Sequence, residues 1–96
     1  MKTQQLFDLT GKVALITGGS RGIGLQMAEA LGEHGASLAL SARKQHELDE
    51  AQAHFDKLGI PCFTVRNDLS DFPSSLGLAV AIISHYGKVD MLVNNA

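Results

Sequence analysis

The sequence of 96 residues has a single cysteine, Cys62, which excludes an internal disulfide bond and is typical of a reducing compartment. It has no apolar stretch of signal-peptide length at its start, and its longest apolar run, 78–83, is far too short to span a bilayer. It also lacks a strong excess of either charge, since the net charge is −2. We therefore expect a cytoplasmic protein without a nucleic-acid or membrane partner.

The four histidines have none of the spacings that are typical of zinc sites, and we expect no metal: His34, His46, His54 and His85. Cys62 has no obvious base partner and is interpreted as a small buried residue, not as a nucleophile.

Apolar and amphipathic segments alternate along the chain. The apolar segments predict four strands, at 12–17, 37–41, 61–66 and 91–95. The amphipathic segments predict three helices, at 23–35, 44–59 and 71–87. Short connections in this order indicate an α/β fold, a doubly wound parallel sheet with helices on both faces.

The periodicity of the first two helices predicts which residues form their apolar faces. In the first helix these are Ile23, Met27, Ala30, Leu31 and His34. In the second they are Leu48, Ala51, Phe55 and Leu58, with Gly59 ending the helix.

The segment TGGSRGIG, residues 17–24, joins the first strand to the first helix. Unpaired N–H groups and the helix dipole make such a helix start an anion site, and glycine lets a phosphate approach the main chain. The triphosphate-binding pattern GxxxxGK[ST] is absent, because Leu25 stands where the lysine belongs. The spacing GxGxxG is absent too.

The spacing that is present, TGxxxGxG, resembles the cofactor loop of the short-chain dehydrogenase/reductase family. Two further segments resemble motifs of that family: NDLS at 67–70, like its adenine-binding segment, and NNA at 94–96, like the NNAG of its fourth strand. The resemblance implies a Rossmann-type fold, of which this chain has the first four strands and three helices. Residues 1–96 would then be the N-terminal part of one dinucleotide-binding domain, without its C-terminal catalytic part.

The end of the second strand bears on the choice of cofactor. NAD-preferring dinucleotide binders usually carry an acidic residue there, but this chain has Ala42, followed by Arg43 and Lys44. A guanidinium and an ammonium suit a phosphate, and the resemblance implies that these two residues and Arg21 select NADP(H). The alternative is that Arg43 and Lys44 only begin a solvated helix.

The resemblance assigns twelve residues to the cofactor: Gly18, Ser20, Arg21, Gly22, Ile23, Gly24, Arg43, Lys44, Asp68, Leu69, Asn95 and Ala96. It implies that Asp68 accepts from the adenine amino group and that Leu69 packs on the base, unless Leu69 is a core residue. Asn95 and Ala96 would place main-chain atoms along the ribose. Asn94 is expected to tie neighbouring strands together through its amide.

The activity implied by the resemblance is hydride transfer between a nicotinamide and a carbonyl or secondary alcohol. The family's serine and its YxxxK pair are not found here, because Tyr86 is followed four residues later by Asp90. We expect no catalytic residue in this chain and no activity of these residues alone. The chain would be part of a longer enzyme, an isolated half-domain, or a non-catalytic dinucleotide-binding module or sensor.

The substrate is expected to be a small carbonyl or alcohol, with ketoacyl thioesters, sugar acids or polyols, and steroid-like ketones all open. The resemblance further implies a homo-oligomer, a tetramer or dimer, for the complete protein.

Overall fold

The computed structural model of the chain describes residues 8–68 and 72–95. In these residues the chain forms β1 Val13–Thr17, α1 Gly22–Glu33, β2 Ser37–Ala42, α2 Gln45–Leu58, β3 Cys62–Arg66, α3 Phe72–Tyr86 and β4 Met91–Asn94. Each predicted strand and helix is present, with ends that differ from the prediction by at most two residues.

The four strands form one parallel sheet in the order β3-β2-β1-β4. β1 is buried at every position and pairs with β2 on one side and β4 on the other; Leu15 is aligned with Ala39 and with Leu92. Its continuous apolar run is therefore that of a central strand buried on both faces.

Alternate residues of β1 pack into two cores, one on each face of the sheet. Ala14 and Ile16 lie in a core that includes Ala28 of α1 and Phe55 of α2. The opposite core contains Val13 and Leu15, together with Leu78 and Ile82 of α3. Helices thus cover both faces, which confirms the doubly wound α/β class.

The predicted apolar face of α1 is correct only in part: Leu31 packs against the core, but the fully buried residues lie one position further along the helix. The buried residues are Gly24, Ala28 and Gly32, whereas Ile23 is 68% exposed and Ala30 is also exposed. Small residues let the helix lie close to its neighbours: a Cβ at Gly32 would stand 2.6 Å from a side-chain carbon of Ile60. Hydrophobicity alone does not identify a face built on close approach.

The predicted face of α2 is correct at Leu48, Ala51 and Phe55 and wrong at Leu58, which is 47% exposed. Gly59 ends the helix in the left-handed conformation, with φ 71°, as expected. The chain turns there, and Ile60 enters the core where Leu58 was expected.

Candidate functional site

A cleft of about 1030 Å³ lies at the carboxyl ends of β1, β2 and β4. Ligands of open parallel sheets bind at this edge. The residues that line it come from the strand ends, the loops after them and the starts of the three helices: Thr17, Gly18, Ser20, Arg21, Gly22, Ile23, Ser41, Ala42, Arg43, Lys44, Glu47, Asn67, Asp68, Ser75, Asn94 and Asn95.

The glycine loop is held between two strand ends and the start of α1. The Gly18 amide donates to the Ser41 carbonyl at 2.8 Å, and the Asn95 side-chain amide donates to the Gly18 carbonyl at 3.3 Å. A Cβ at Gly24 would collide with that carbonyl and stand 2.7 Å from Asn95 Nδ2. Gly24 therefore allows α1 to begin directly against the end of β1.

The main chain of the loop is open on its other side. Gly22 has φ 61°, and no atom of the described structure lies within 4 Å of the position a Cβ would take. Arg21 is the N-cap residue of α1 and makes no side-chain capping bond, and the first turn holds no acidic residue. The first N–H groups of α1 have no acceptor within the helix and lie beside the cleft, so their positive ends suit a phosphate.

A hydrogen-bonded link joins β1 to β4 at the bottom of the cleft. The Thr17 hydroxyl donates to the Asn94 side-chain oxygen at 3.0 Å and accepts from the Asn95 amide at 3.0 Å. Thr17 and Asn94 are also aligned across the two strands. Asn94 thus ties neighbouring strands, the structural role expected for it.

The cleft wall after β2 is basic. Arg43 and Lys44 are exposed there, and among residues 8–68 and 72–95 neither side chain forms a salt bridge. The loop that carries them is fixed from β3: Arg66 Nε donates to the Arg43 carbonyl at 3.1 Å, and the Asn67 amide donates to the Ala42 carbonyl at 2.9 Å. These bonds hold the two cations at the edge of the cleft.

Arg21 contributes a third cation but has an acidic partner. Its Nη1 lies 3.5 Å from Oε2 of Glu47, and the Ser20 hydroxyl donates to Oε1 of Glu47 at 3.4 Å. Glu47 was not among the residues predicted for the site. The signal was its place in the first turn of α2, three residues after Lys44.

Nine of the twelve predicted residues line the cleft together: Gly18, Ser20, Arg21, Gly22, Ile23, Arg43, Lys44, Asp68 and Asn95. Gly24 lies behind the loop, against Gly18. Leu69 and Ala96 lie outside the described residues. The cleft also contains Ser41, Asn67 and Ser75, which, like Glu47, were not predicted.

Two reactive residue types lie away from the cleft. Burial raises the pKa of the Cys62 thiol to about 12, and nearby Asp56 acts in the same direction, so the thiol is a poor nucleophile. Tyr86 donates its hydroxyl to the Leu38 carbonyl at 2.7 Å, and burial raises its pKa to about 12. Both serve packing in this structure.

Residues 8–68 and 72–95 carry neither a metal-binding cluster nor a helix that could span a membrane. They contain no group of three or more His, Cys, Asp or Glu side chains arranged to hold a metal ion. None of the helices within them has the length and apolarity to cross a bilayer.

Comparison with known proteins connects this geometry to a family. The model of the short chain dehydrogenase family matches residues 12–96. Gluconate 5-dehydrogenase of Gluconobacter oxydans is 40% identical over all 96 residues, which correspond to 38% of that protein. The chain therefore spans well under half the length of this relative.

Solved structures agree in fold. The hydroxysteroid dehydrogenase of Escherichia coli superposes with a TM-score of 0.92 at 35% identity, over 99% of this chain and 40% of that one. A metagenomic short-chain oxidoreductase in complex with NADP gives a TM-score of 0.87 at 36% identity, over 93% of this chain and 40% of that one.

Proposed function

The chain belongs to the short-chain dehydrogenase family, and on that premise we propose that it is the cofactor-binding part of an NADP(H)-dependent oxidoreductase that interconverts a carbonyl and a secondary alcohol. One observation carries the proposal: a single cleft combines the open main chain of the glycine loop with Arg21, Arg43 and Lys44. The NADP complex of the metagenomic relative supports the same cofactor.

The start of α1 suits the pyrophosphate. The main-chain N–H groups of Gly22 and Ile23 lie at the cleft, in a helix start without a capping side chain or an acidic residue. A diphosphate there would supply the missing acceptors and interact favourably with the helix dipole. Gly18 and Gly24 contribute by keeping the loop close to the sheet.

We place the adenosine end of the cofactor against the basic wall of the cleft that follows β2. Ala42 leaves space where a carboxylate would repel a 2′-phosphate, and Arg43, Lys44 and Arg21 offer charge-assisted hydrogen bonds. Asp68 lines the same cleft and is assigned to the adenine amino group.

The remaining assignments follow the family. We assign Ser20 to the adenosine phosphate side, Asn95 and Ala96 to the ribose, and Leu69 to the face of the base. When bound, the nicotinamide carries the hydride, and the residues of this chain bind and orient the cofactor. The whole protein is proposed to be a cytoplasmic homo-oligomer, a dimer or tetramer.

The proton-transfer residues are proposed to lie outside these 96 residues. The single tyrosine, Tyr86, lacks the lysine of a YxxxK pair and donates its hydroxyl to a strand carbonyl. The polypeptide of residues 1–96 is therefore expected to show no carbonyl reduction with NADPH above the blank. Measurable turnover by it in a purified preparation would contradict this placement.

Cofactor choice is tested by titrating the whole protein that carries this sequence with NADPH and NADH and following the nicotinamide fluorescence. We expect NADPH to bind at least tenfold more tightly, a difference of about 1.4 kcal/mol. Arg43→Ala should remove most of that difference, because a phosphate loses its guanidinium partner.

Lys57→Ala is the matched control for Arg43→Ala. It removes an exposed cation from the far end of α2 and should leave the preference unchanged. Equal affinities of the unmutated protein for the two cofactors would overturn the NADP assignment.

A further inference from the structure

Glu47 is an acidic side chain held inside a cleft whose other charged residues are mostly basic. Its side chain is only 15% exposed, and its two oxygens have different partners. Oε1 accepts from the Ser20 hydroxyl at 3.4 Å, and Oε2 lies 3.5 Å from the Arg21 guanidinium. The carboxylate therefore contacts two successive residues of the glycine loop, both assigned to the adenosine phosphate side.

The two partners of the ion pair differ in how firmly they are placed. Glu47 is largely enclosed, in the first turn of α2, whereas the Arg21 side chain is 78% exposed. Ion pairs with an exposed partner contribute little to stability, so the Arg21 guanidinium can exchange one anion for another at small cost. A phosphate monoester, with nearly two charges and three acceptor oxygens, is a stronger partner than a carboxylate.

Other carboxylates of α2 do not share this position. Asp49 is exposed and accepts from Gln45 at 2.8 Å, and Asp56 is exposed and accepts from Gln52 at 2.9 Å. Glu50 is exposed as well and does not line the cleft. Among the carboxylates of α2, a helix that the structure describes throughout, Glu47 is the one that lies at the helix start and contacts the glycine loop.

We propose that Glu47 determines cofactor specificity by competing with the 2′-phosphate of NADP(H) for Arg21 and Ser20. The inference rests on the proposed function and adds a residue that opposes the preferred cofactor. In the free protein Glu47 neutralises the Arg21 guanidinium. The 2′-phosphate must displace the Glu47 carboxylate from Arg21, and the negative charge of Glu47 then remains beside the phosphate. NADH, without that phosphate, leaves the pair intact.

The test is the change Glu47→Gln in the whole protein that carries this sequence, with dissociation constants for NADPH and NADH at low salt. Glutamine keeps the size of the side chain and an oxygen that accepts from Ser20, but it has no charge. NADPH is expected to bind about fivefold more tightly, the factor that corresponds to loss of an exposed competing ion pair. The affinity for NADH should change by less than about twofold.

Two controls separate competition from other effects. Glu50→Gln makes the same charge change on the exposed side of α2 and should alter neither affinity. In a protein already carrying Arg21→Ala, Glu47→Gln should improve NADPH binding clearly less, because the contested cation is gone and only the repulsion between Glu47 and the phosphate is relieved. An undiminished improvement would overturn the competition for Arg21. The shorter carboxylate of Glu47→Asp withdraws from Arg21, so the NADPH affinity of this variant should lie between those of wild type and Glu47→Gln. Glu47→Asp replaces Glu47→Gln in the test if the glutamine variant does not fold.

The outcomes are distinguishable. Weaker or unchanged NADPH binding in folded Glu47→Gln overturns the competition, and weaker binding would mean that Glu47 orients Arg21 for the phosphate. Equal tightening of NADPH and NADH also overturns it, because it shows only a general charge effect. A wild-type protein without preference for NADPH overturns the proposed function together with this inference, whereas a preserved preference that Glu47→Gln leaves unchanged overturns this inference alone.

Discussion

At the scale of single residues, Tyr86 is a tyrosine whose hydroxyl has a structural role: it binds α3 to the sheet. Its hydroxyl reaches from α3 to the Leu38 carbonyl on β2, and its ring meets Phe63 edge-on at 6.3 Å between centroids. The hydroxyl is part of the core between α3 and the sheet.

The change Tyr86→Phe tests this role, because it keeps the ring and removes the hydrogen bond. The free energy of unfolding should fall by about 1 kcal/mol, the usual net value of such a bond. Urea unfolding followed by circular dichroism measures it, and cofactor affinity should not change. A loss of NADPH binding in the folded variant would contradict the purely structural role.

At the scale of elements, the sequence predicted what depends on local pattern and missed what depends on packing. The central position of β1 and the turn at Gly59 were predictable, because each follows from a short run or from one backbone conformation. The buried face of α1 was not, since it follows from how closely the helix approaches its neighbours.

The residues of the candidate site also differ in whether local sequence alone could identify them. The glycine loop and the Arg43-Lys44 pair stand out as contiguous segments. Glu47 does not, because its contacts with Ser20 and Arg21 exist only after α2 has docked beside the loop.

Replacing glycine by alanine should have opposite effects on stability in α1 and in α3, because α1 begins in close contact with its neighbours. Gly24→Ala places a Cβ against the Gly18 carbonyl and the Asn95 side chain. It should destabilise the fold by about 1–3 kcal/mol, the usual cost of overpacking, and weaken cofactor binding by shifting the loop.

Gly77→Ala is the matched control, since nothing in the described structure lies within 4 Å of a Cβ added at this glycine of α3. It should stabilise the fold by about 0.5–1 kcal/mol, because alanine favours the helix more than glycine does. Thermal unfolding of both variants measures the effects, and a neutral Gly24→Ala would contradict the close approach of α1 to the sheet.

At the scale of the whole molecule, Asp90, which directly precedes β4, is hydrogen-bonded to the first residue of β1. Its carboxylate accepts from the Val13 amide at 2.8 Å and lies 3.1 Å from Lys88 Nζ, while its own amide donates to the Val13 carbonyl at 2.9 Å. The hydrogen bond from Val13 is the main cause that lowers the pKa of Asp90 below its ordinary value of 3.8, and Lys88 adds to it.

This lowered pKa predicts an acid-dependent contribution to stability. A carboxyl group with a depressed pKa in the folded state stabilises the fold above its unfolded pKa, and the contribution disappears as pH falls through the folded value. Asp90→Asn should therefore lower the melting temperature at pH 7, and the gap to wild type should close in acid, from about pH 4 downwards.

Asp49→Asn, on the exposed side of α2, is the control for that experiment and should follow wild type at every pH. A gap between Asp90→Asn and wild type that stays constant down to strongly acidic pH would show that the Asp90 charge is not responsible.

The link from Asn95 to the Gly18 carbonyl has a consequence for synthesis of the protein. A nascent chain emerges from the ribosome with its glycine loop first, but the asparagine that braces this loop follows 77 residues later. We expect the emerging polypeptide to acquire affinity for its nucleotide only after β4 has left the exit tunnel and paired with β1.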